Sequence, residues 1–178
     1  MIRSPHMTDI PAVAAFLEQQ FERTHYAREH AGKVDVFKAK RLLMNAIASN
    51  GVMNDGGCCV KVIERAAKLC GLMIATLQPV YLIGNKLCAT NLFWVVAQEA
   101  RGTDGALLLL AMIHWAKQAG AIEIKCDTTA IIQDPDSAGR MLERWGFKPY
   151  GNLYRLDLMG AIDERGSLGD RQGLHAGL

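Results

Sequence analysis

The feature that most constrains this chain is a strand, a loop and a helix in succession near its middle. Residues Leu87–Val96 form an apolar run, which predicts a β-strand covered on both faces. The run leads into the glycine-containing segment Arg101–Ala106. The residues after it predict a helix that is apolar over most of its circumference and ends at Gly120. Both the strand and the helix are therefore expected to lie deep in the fold.

The segments on either side predict a mixed α+β domain. Its other expected elements are an edge strand at Met1–Arg3, a helix capped by Thr8, a helix opened by Asp35, a hairpin of Cys58–Arg65 and Leu69–Leu77, a strand at Ala121–Thr128, a helix from about Pro135 to Gly146, and a last strand at Leu153–Leu158. Thr24–Lys33 loses the helical period and is expected to be a loop. Residues 1–158 are expected to form one domain. Residues 159–178, rich in glycine and without aromatic residues, are expected to be a flexible tail.

Charge and cysteine content argue against several classes of function. Lys and Arg number 20 against 18 Asp and Glu, so no bulk charge exists to collect nucleic acid or a membrane surface. The five cysteines lack C-x-x-C spacing and predict reduced, buried thiols rather than a zinc site or disulfides. The N-terminus does not have the pattern of a secretory leader. The longest apolar stretch, Gly105–Met112, is far below the roughly 18 residues of a membrane span. A cytoplasmic protein is expected.

The segment Arg101–Ala106 predicts a site for a phosphate group. The first turn of the helix that follows leaves backbone N–H groups unpaired, and the helix dipole adds positive charge there. Gly102 and Gly105 allow close approach of an anion, and Arg101 can add a charge-assisted hydrogen bond. Such a segment is also typical of an ordinary tight turn. Neither G-x-G-x-x-G nor G-x-x-x-x-G-K-[ST] occurs, which argues against a dinucleotide or nucleoside triphosphate site.

The chain resembles the GCN5-related N-acetyltransferase family in four places. They are Ile2-Arg3 with Asp9–Val13, Trp94-Val95-Val96, Arg101–Ala106, and Leu142–Phe147. The resemblance covers residues 1–158 and implies a single α+β domain, with a central mixed, mostly antiparallel sheet and helices on both faces. It further implies acetyl-CoA as co-substrate, no metal, and transfer of an acetyl group to the amine of a small molecule or peptide. A homodimer is one option for its assembly.

The resemblance also assigns the residues that bind the co-substrate. Members of the family bind acetyl-CoA with a Q/R-x-x-G-x-G/A loop, which implies a pyrophosphate site made by Arg101, Gly102, Thr103, Asp104, Gly105 and Ala106. A bulge splays the preceding strand from its neighbour in the family, and the pantetheine arm pairs in the gap with backbone that matches Trp94, Val95 and Val96. Asp104 replaces the middle glycine of the loop. Its carboxylate would repel the pyrophosphate unless it points away or caps the helix, and Gly105 is a candidate for the permissive role.

The acid and base of the reaction are not identified by motif. Many members of the family carry a tyrosine as general acid where this chain has Leu142, so Tyr154 and Tyr150 become the candidates. An attacking amine must lose a proton, for which the candidate bases are Asp127, Glu99, His25 and His30. Asp127 ranks first because it follows a strand near its carboxyl end.

Two other interpretations stay open at this level. A fold of this kind can bind coenzyme A or a partner chain with little or no catalysis, which Asp104 and Leu142 favour. A phosphate-dependent enzyme of another type is a weaker alternative, since no nucleotide signature supports it.

Overall fold

The computed structural model describes residues 1–100, 103–127 and 135–151. The helices are α1 (Ile10–Phe21), α2 (His25–His30), α3 (Val36–Ala48), α4 (Thr103–Gln118) and α5 (Pro135–Arg144). The strands are β1 (Ile2–Arg3), β2 (Cys58–Arg65), β3 (Lys68–Pro79), β4 (Leu87–Val96) and β5 (Glu123–Lys125). Single turns of 3-10 helix occupy Met7–Asp9, Val80–Leu82 and Gln98–Ala100. The predicted last strand at Leu153–Leu158 and the tail at 159–178 lie outside the described residues.

The five described strands form one sheet in the order β1-β2-β3-β4-β5. The pairings from β1 to β4 are antiparallel, and β5 runs parallel to β4. The sheet is therefore mixed, as the family resemblance implied. Strands β2 and β4 have the predicted bounds, because each is a largely apolar run between turn signals.

Both faces of the sheet are covered. Four consecutive residues of β3, Leu72–Ala75, are fully buried, and successive side chains of a strand point to opposite faces. Helices α1 and α3 pack on each other and contact β3 and β2, while α4 contacts β2, β3 and β4. Leu108, Leu109 and Met112 of α4 are fully buried, which confirms the predicted buried helix.

A charged network holds the N-terminal strand in place. The Arg3 guanidinium binds Asp9 at 2.7 and 3.1 Å and Glu64 of β2 at 2.9 and 3.1 Å. Asp9 also accepts the His6 backbone N–H at 2.7 Å. The prediction that Thr8 caps the first helix was wrong. Thr8 lies inside the 3-10 turn that precedes α1. The residue that caps this turn is His6, and the Asp9 carboxylate accepts its backbone N–H.

The predicted loop at Thr24–Lys33 contains α2 instead. Thr24 caps this helix, with its Oγ1 accepting the Ala27 N–H at 3.4 Å, and Ala31 ends it in the left-handed conformation. Six residues are too few to show a helical period, which is why the pattern missed them. The predicted cap of α3 is confirmed, since Asp35 accepts the Lys38 N–H at 3.0 Å. Strand β5 is shorter than the predicted Ala121–Thr128.

No helix in the described part of the chain is long and apolar enough to cross a membrane.

Candidate functional site

Strand β4 carries a bulge that divides it into two parts. Ile74 of β3 pairs with Phe93, whereas the next residue, Ala75, pairs with Asn91, so Leu92 is an extra residue on β4. A bulge bends its strand and increases the local twist. Before the bulge, β5 pairs with β4 at residues 88–90. After it, the described residues contain no further β4–β5 pairing, and we call the space beside this unpaired part of β4 the gap.

Asn91 closes the base of this gap with its side chain. Its Oδ1 accepts the backbone N–H of Asp127 at 3.1 Å, and its Nδ2 donates to the Asp127 carbonyl at 3.5 Å. The side chain is 6% exposed, so these bonds lie in the interior. The side-chain amide of Asn91 thus makes the two hydrogen bonds to Asp127 that the backbone of a paired strand would make. The sequence analysis missed this residue, because a lone asparagine in an apolar run carries no motif.

The second part of β4 turns backbone groups toward the gap. The Ala97 N–H donates to the Cys70 carbonyl at 2.8 Å, so Ala97 faces β3. Alternate residues of a strand point their N–H and C=O groups in opposite directions. Val96 and Trp94 therefore face the gap, while Val95, between them, faces β3. In the described ranges no strand pairs with Trp94 or Val96 on the gap side.

Helix α4 begins beside this gap. Its first described residue is Thr103, and the N–H groups of its first turn, which includes Asp104, Gly105 and Ala106, have no partner within the helix. The Trp94 indole N–H donates to the Gly105 carbonyl at 3.1 Å, which ties the gap strand to the head of the helix. Arg101 and Gly102 lie outside the described residues.

Gly105 does not replace the middle glycine of the family's loop through a left-handed backbone conformation. Its φ is not in the left-handed region, and a Cβ there would lie 3.6 Å from Met141 Cε and 3.7 Å from Val96 Cγ2. These are ordinary contact distances.

The Asp104 carboxylate is neutralised by a residue that the sequence analysis did not single out. Arg65, at the end of β2, binds its two oxygens at 3.0 and 2.5 Å. Asp104 is 2% exposed, and the hydrogen bonds from Arg65 lower the pKa of its carboxyl group. Asp104 therefore adds no unpaired negative charge at the head of α4. No sequence signal pairs two residues 39 positions apart, and the packing of α4 against β2 brings them together.

The candidate bases lie at the ends of the two strands that border the gap. Asp127 lies two residues after the end of β5 and is exposed. Glu99 lies in the 3-10 turn after β4, and Lys68 Nζ binds it at 2.7 Å. That hydrogen bond lowers the pKa of Glu99, which makes it a weaker base. The candidate acid Tyr154 lies outside the described residues.

The other candidates from the sequence are placed as follows. His25 and His30 lie on α2, and the buried His25 Nε2 atom has no hydrogen-bond partner among the described residues. Leu142, at the position of the family's tyrosine, is 7% exposed and belongs to the hydrophobic core.

Thiol and metal chemistry have little support in the described part of the chain. Burial raises the pKa of the Cys126 thiol to about 12, which keeps it protonated and unreactive. The described residues contain no group of three His, Cys, Asp or Glu side chains that could hold a metal ion.

Comparison with known proteins gives a result from structure and none from sequence. No family model and no curated protein sequence matches the chain. Solved structures do match. An acetyltransferase from Trypanosoma brucei has 16% identity and a TM-score of 0.63, over 89% of this chain and 99% of that one.

Two further structures extend the comparison. Glucosamine-6-phosphate N-acetyltransferase from Arabidopsis thaliana has 15% identity over 89% and 97% of the two chains, with a TM-score of 0.64. A predicted acetyltransferase from Clostridium acetobutylicum, solved with acetyl-CoA, has 13% identity over 90% and 97%, with a TM-score of 0.63. Together with the bulged β4 and the gap beside it, these matches identify the chain as having the GCN5-related N-acetyltransferase fold.

Proposed function

We propose that this chain is an N-acetyltransferase that moves an acetyl group from acetyl-CoA to an amine of a small molecule or peptide by direct attack. The observation that carries the proposal is the gap between β4 and β5. Backbone groups of Trp94 and Val96 face this gap, and the Trp94 indole joins it to the head of α4. Similar folds occur in proteins described as N-acetyltransferases.

The described residues fit coenzyme A at both ends of this gap. The backbone amides and carbonyls of Trp94 and Val96 match the alternating amides of a pantetheine arm, as a neighbouring strand would. The free N–H groups at the head of α4 suit a diphosphate, and Arg101 would add a charge-assisted hydrogen bond. Asp104 does not oppose this, because Arg65 already neutralises it.

The proposed chemistry places the reacting carbonyl at the end of β4. When bound, acetyl-CoA supplies the acetyl thioester. The amine nitrogen bonds to the thioester carbonyl carbon as the carbon–sulfur bond breaks, and the backbone N–H near Val96 stabilises the charge that gathers on the carbonyl oxygen. Asp127 accepts the proton that the amine loses, with Glu99 as the alternative base. Tyr154 donates a proton to the departing thiolate.

One observation favours a second function, coenzyme A binding without turnover. Leu142 fills the core position where many members of the family carry the acidic tyrosine, so the described residues supply no phenol from that site. Asp127 and Tyr154 are the residues on which catalysis then depends.

Thermal unfolding with acetyl-CoA, free coenzyme A and ATP tests the proposal first. A ligand bound only by the folded state raises the melting temperature, so we expect shifts with both coenzyme A species and none with ATP. If neither acetyl-CoA nor free coenzyme A raises the melting temperature, both functions are refuted. Thiol release from acetyl-CoA with a panel of amines then separates them. Release identifies an enzyme, and silence across the panel identifies a binding protein.

A further inference from the structure

Arg23 lies between α1 and α2, and its side chain contacts the end of β4. Its Nη1 donates to the side-chain oxygen of Gln20 at 2.5 Å and to the Val96 carbonyl at 3.5 Å. Gln20 is 3% exposed, so the first contact fixes the side chain from the interior. The guanidinium therefore lies against the last residue of β4 that faces the gap, next to the proposed position of the thioester.

The hydrogen-bonding capacity of Arg23 is not filled. Its Nε is buried and has no hydrogen-bond partner in the described part of the chain, and its Nη1 contacts there are to neutral oxygens. Among the described residues no carboxylate lies within the 4.0 Å of an ion pair with it. A buried donor without a partner is costly, and a charged one more so. By contrast, Arg3 and Arg65 each bind carboxylates through two or more nitrogens.

The charged neighbours of Arg23 do not neutralise it. Glu99 is close enough for Arg23 to contribute to its lowered pKa, but Lys68 Nζ holds that carboxylate at 2.7 Å. Arg28 adds a second guanidinium on α2. The amine side of the proposed gap is thus bordered by an arginine that forms no ion pair among the described residues.

We propose that Arg23 binds a carboxylate of the acceptor, and that the acceptor is an amine with a carboxylate on the adjacent carbon, as in an amino acid. This inference rests on the proposed function, because it takes the end of β4 as the position of the thioester. The planar guanidinium fork matches a carboxylate, and its free Nε supplies the missing contact. Its positive charge also favours the neutral form of a bound amine, which is the form that attacks.

The test is a pair of coenzyme A conjugates that differ in a single carboxylate. Glycine or methylamine is coupled through an acetyl linker to the coenzyme A sulfur, so that each conjugate spans both sites. Calorimetry gives their Kd values for the wild type, R23Q, R23K and R28Q. We expect the wild type to bind the glycine conjugate at least tenfold more tightly than the methylamine conjugate. R28Q, which removes an exposed arginine from the same segment, should retain that ratio.

We expect the ratio of the two Kd values to fall to near one in R23Q. It should take an intermediate value in R23K, which keeps the positive charge but loses the planar guanidinium. The affinity for free coenzyme A is measured for every variant, and the ratio of the two conjugates cancels any change in it, because both carry the same coenzyme A. Equal affinity of the wild type for the two conjugates would overturn the inference, as would a full preference retained in R23Q. If R23Q does not fold, the wild type and R23K decide. Failure of free coenzyme A to bind the wild type would instead refute the proposed function.

Discussion

Trp94 and Trp115 form a matched pair that measures the bond joining the gap to α4. Both indoles are buried, at 9% and 6% exposed, but their N–H groups differ. Trp94 Nε1 donates to the Gly105 carbonyl at 3.1 Å, whereas the buried Trp115 Nε1 has no partner within residues 1–100, 103–127 and 135–151. The same substitution, Trp→Phe, removes a hydrogen bond at one site and an unsatisfied donor at the other.

The magnitudes follow from that difference. Each substitution loses similar packing from the smaller ring. Trp94→Phe also loses a hydrogen bond of about 1 kcal/mol, and Trp115→Phe recovers the penalty of an unpaired buried donor, about 1–3 kcal/mol. We therefore expect Trp94→Phe to lower the free energy of unfolding by about 2–4 kcal/mol more than Trp115→Phe does.

Urea unfolding of the two variants and the wild type measures this difference through the midpoint at constant slope. The affinity for acetyl-CoA should fall in Trp94→Phe and stay unchanged in Trp115→Phe, because only the first lies in the proposed site. Equal losses of stability in the two variants would refute the reasoning, since the hydrogen bond would then contribute nothing.

Three further predictions concern the loop, the N-terminal network and the tail. Arg101→Ala should weaken acetyl-CoA binding by about 1.5–3 kcal/mol in calorimetry, and unchanged affinity would remove this residue from the site. The pKa of Asp9 is lowered to about 2 from its ordinary 3.8, chiefly by Arg3. The resulting stability is present above pH 3.8 and lost as the pH falls through about 2. Between these two pH values the free energy of unfolding should fall by about 1 kcal/mol in the wild type, because solvent screens the ion pair. This contribution should be absent in Asp9→Asn. Truncation of residues 159–178 should leave the melting temperature almost unaltered, and a drop of several degrees would show that the tail contributes to the fold.

The parts of the fold that the sequence predicted are those with strong local signals. Strands β2 and β4 are apolar runs bounded by turns, and α4 is a long apolar helix, so neighbouring residues suffice to define them. Helix α2 has too few residues for a period. Its one local signal, Thr24 as a cap, resembles many threonines in loops.

The candidate site was predictable only in part, for a similar reason. The resemblance located the end of β4 and the head of α4, but it left open where the Asp104 carboxylate points. That answer depends on Arg65, which the packing of α4 against β2 places beside it. Likewise, Arg23 and Val96 are 73 positions apart, and no spacing rule connects them.

Because β4 contains the extra residue Leu92, the backbone groups of its odd-numbered residues face β5 before this residue and β3 after it. Before it, odd-numbered Leu87 gives its carbonyl to the Ile122 N–H on the β5 side, and after it, odd-numbered Ala97 faces β3. A single inserted residue thus bends β4 and raises its twist, while the residues on either side of it keep consecutive partners on β3. Deleting Leu92 would leave Asn91 opposite Ala75 and Phe93 opposite Ile74, so Trp94 would stay opposite Met73 and only the bend would be lost. Such a deletion would therefore separate the effect of the bend from the effect of the pairing on the bond between Trp94 and Gly105.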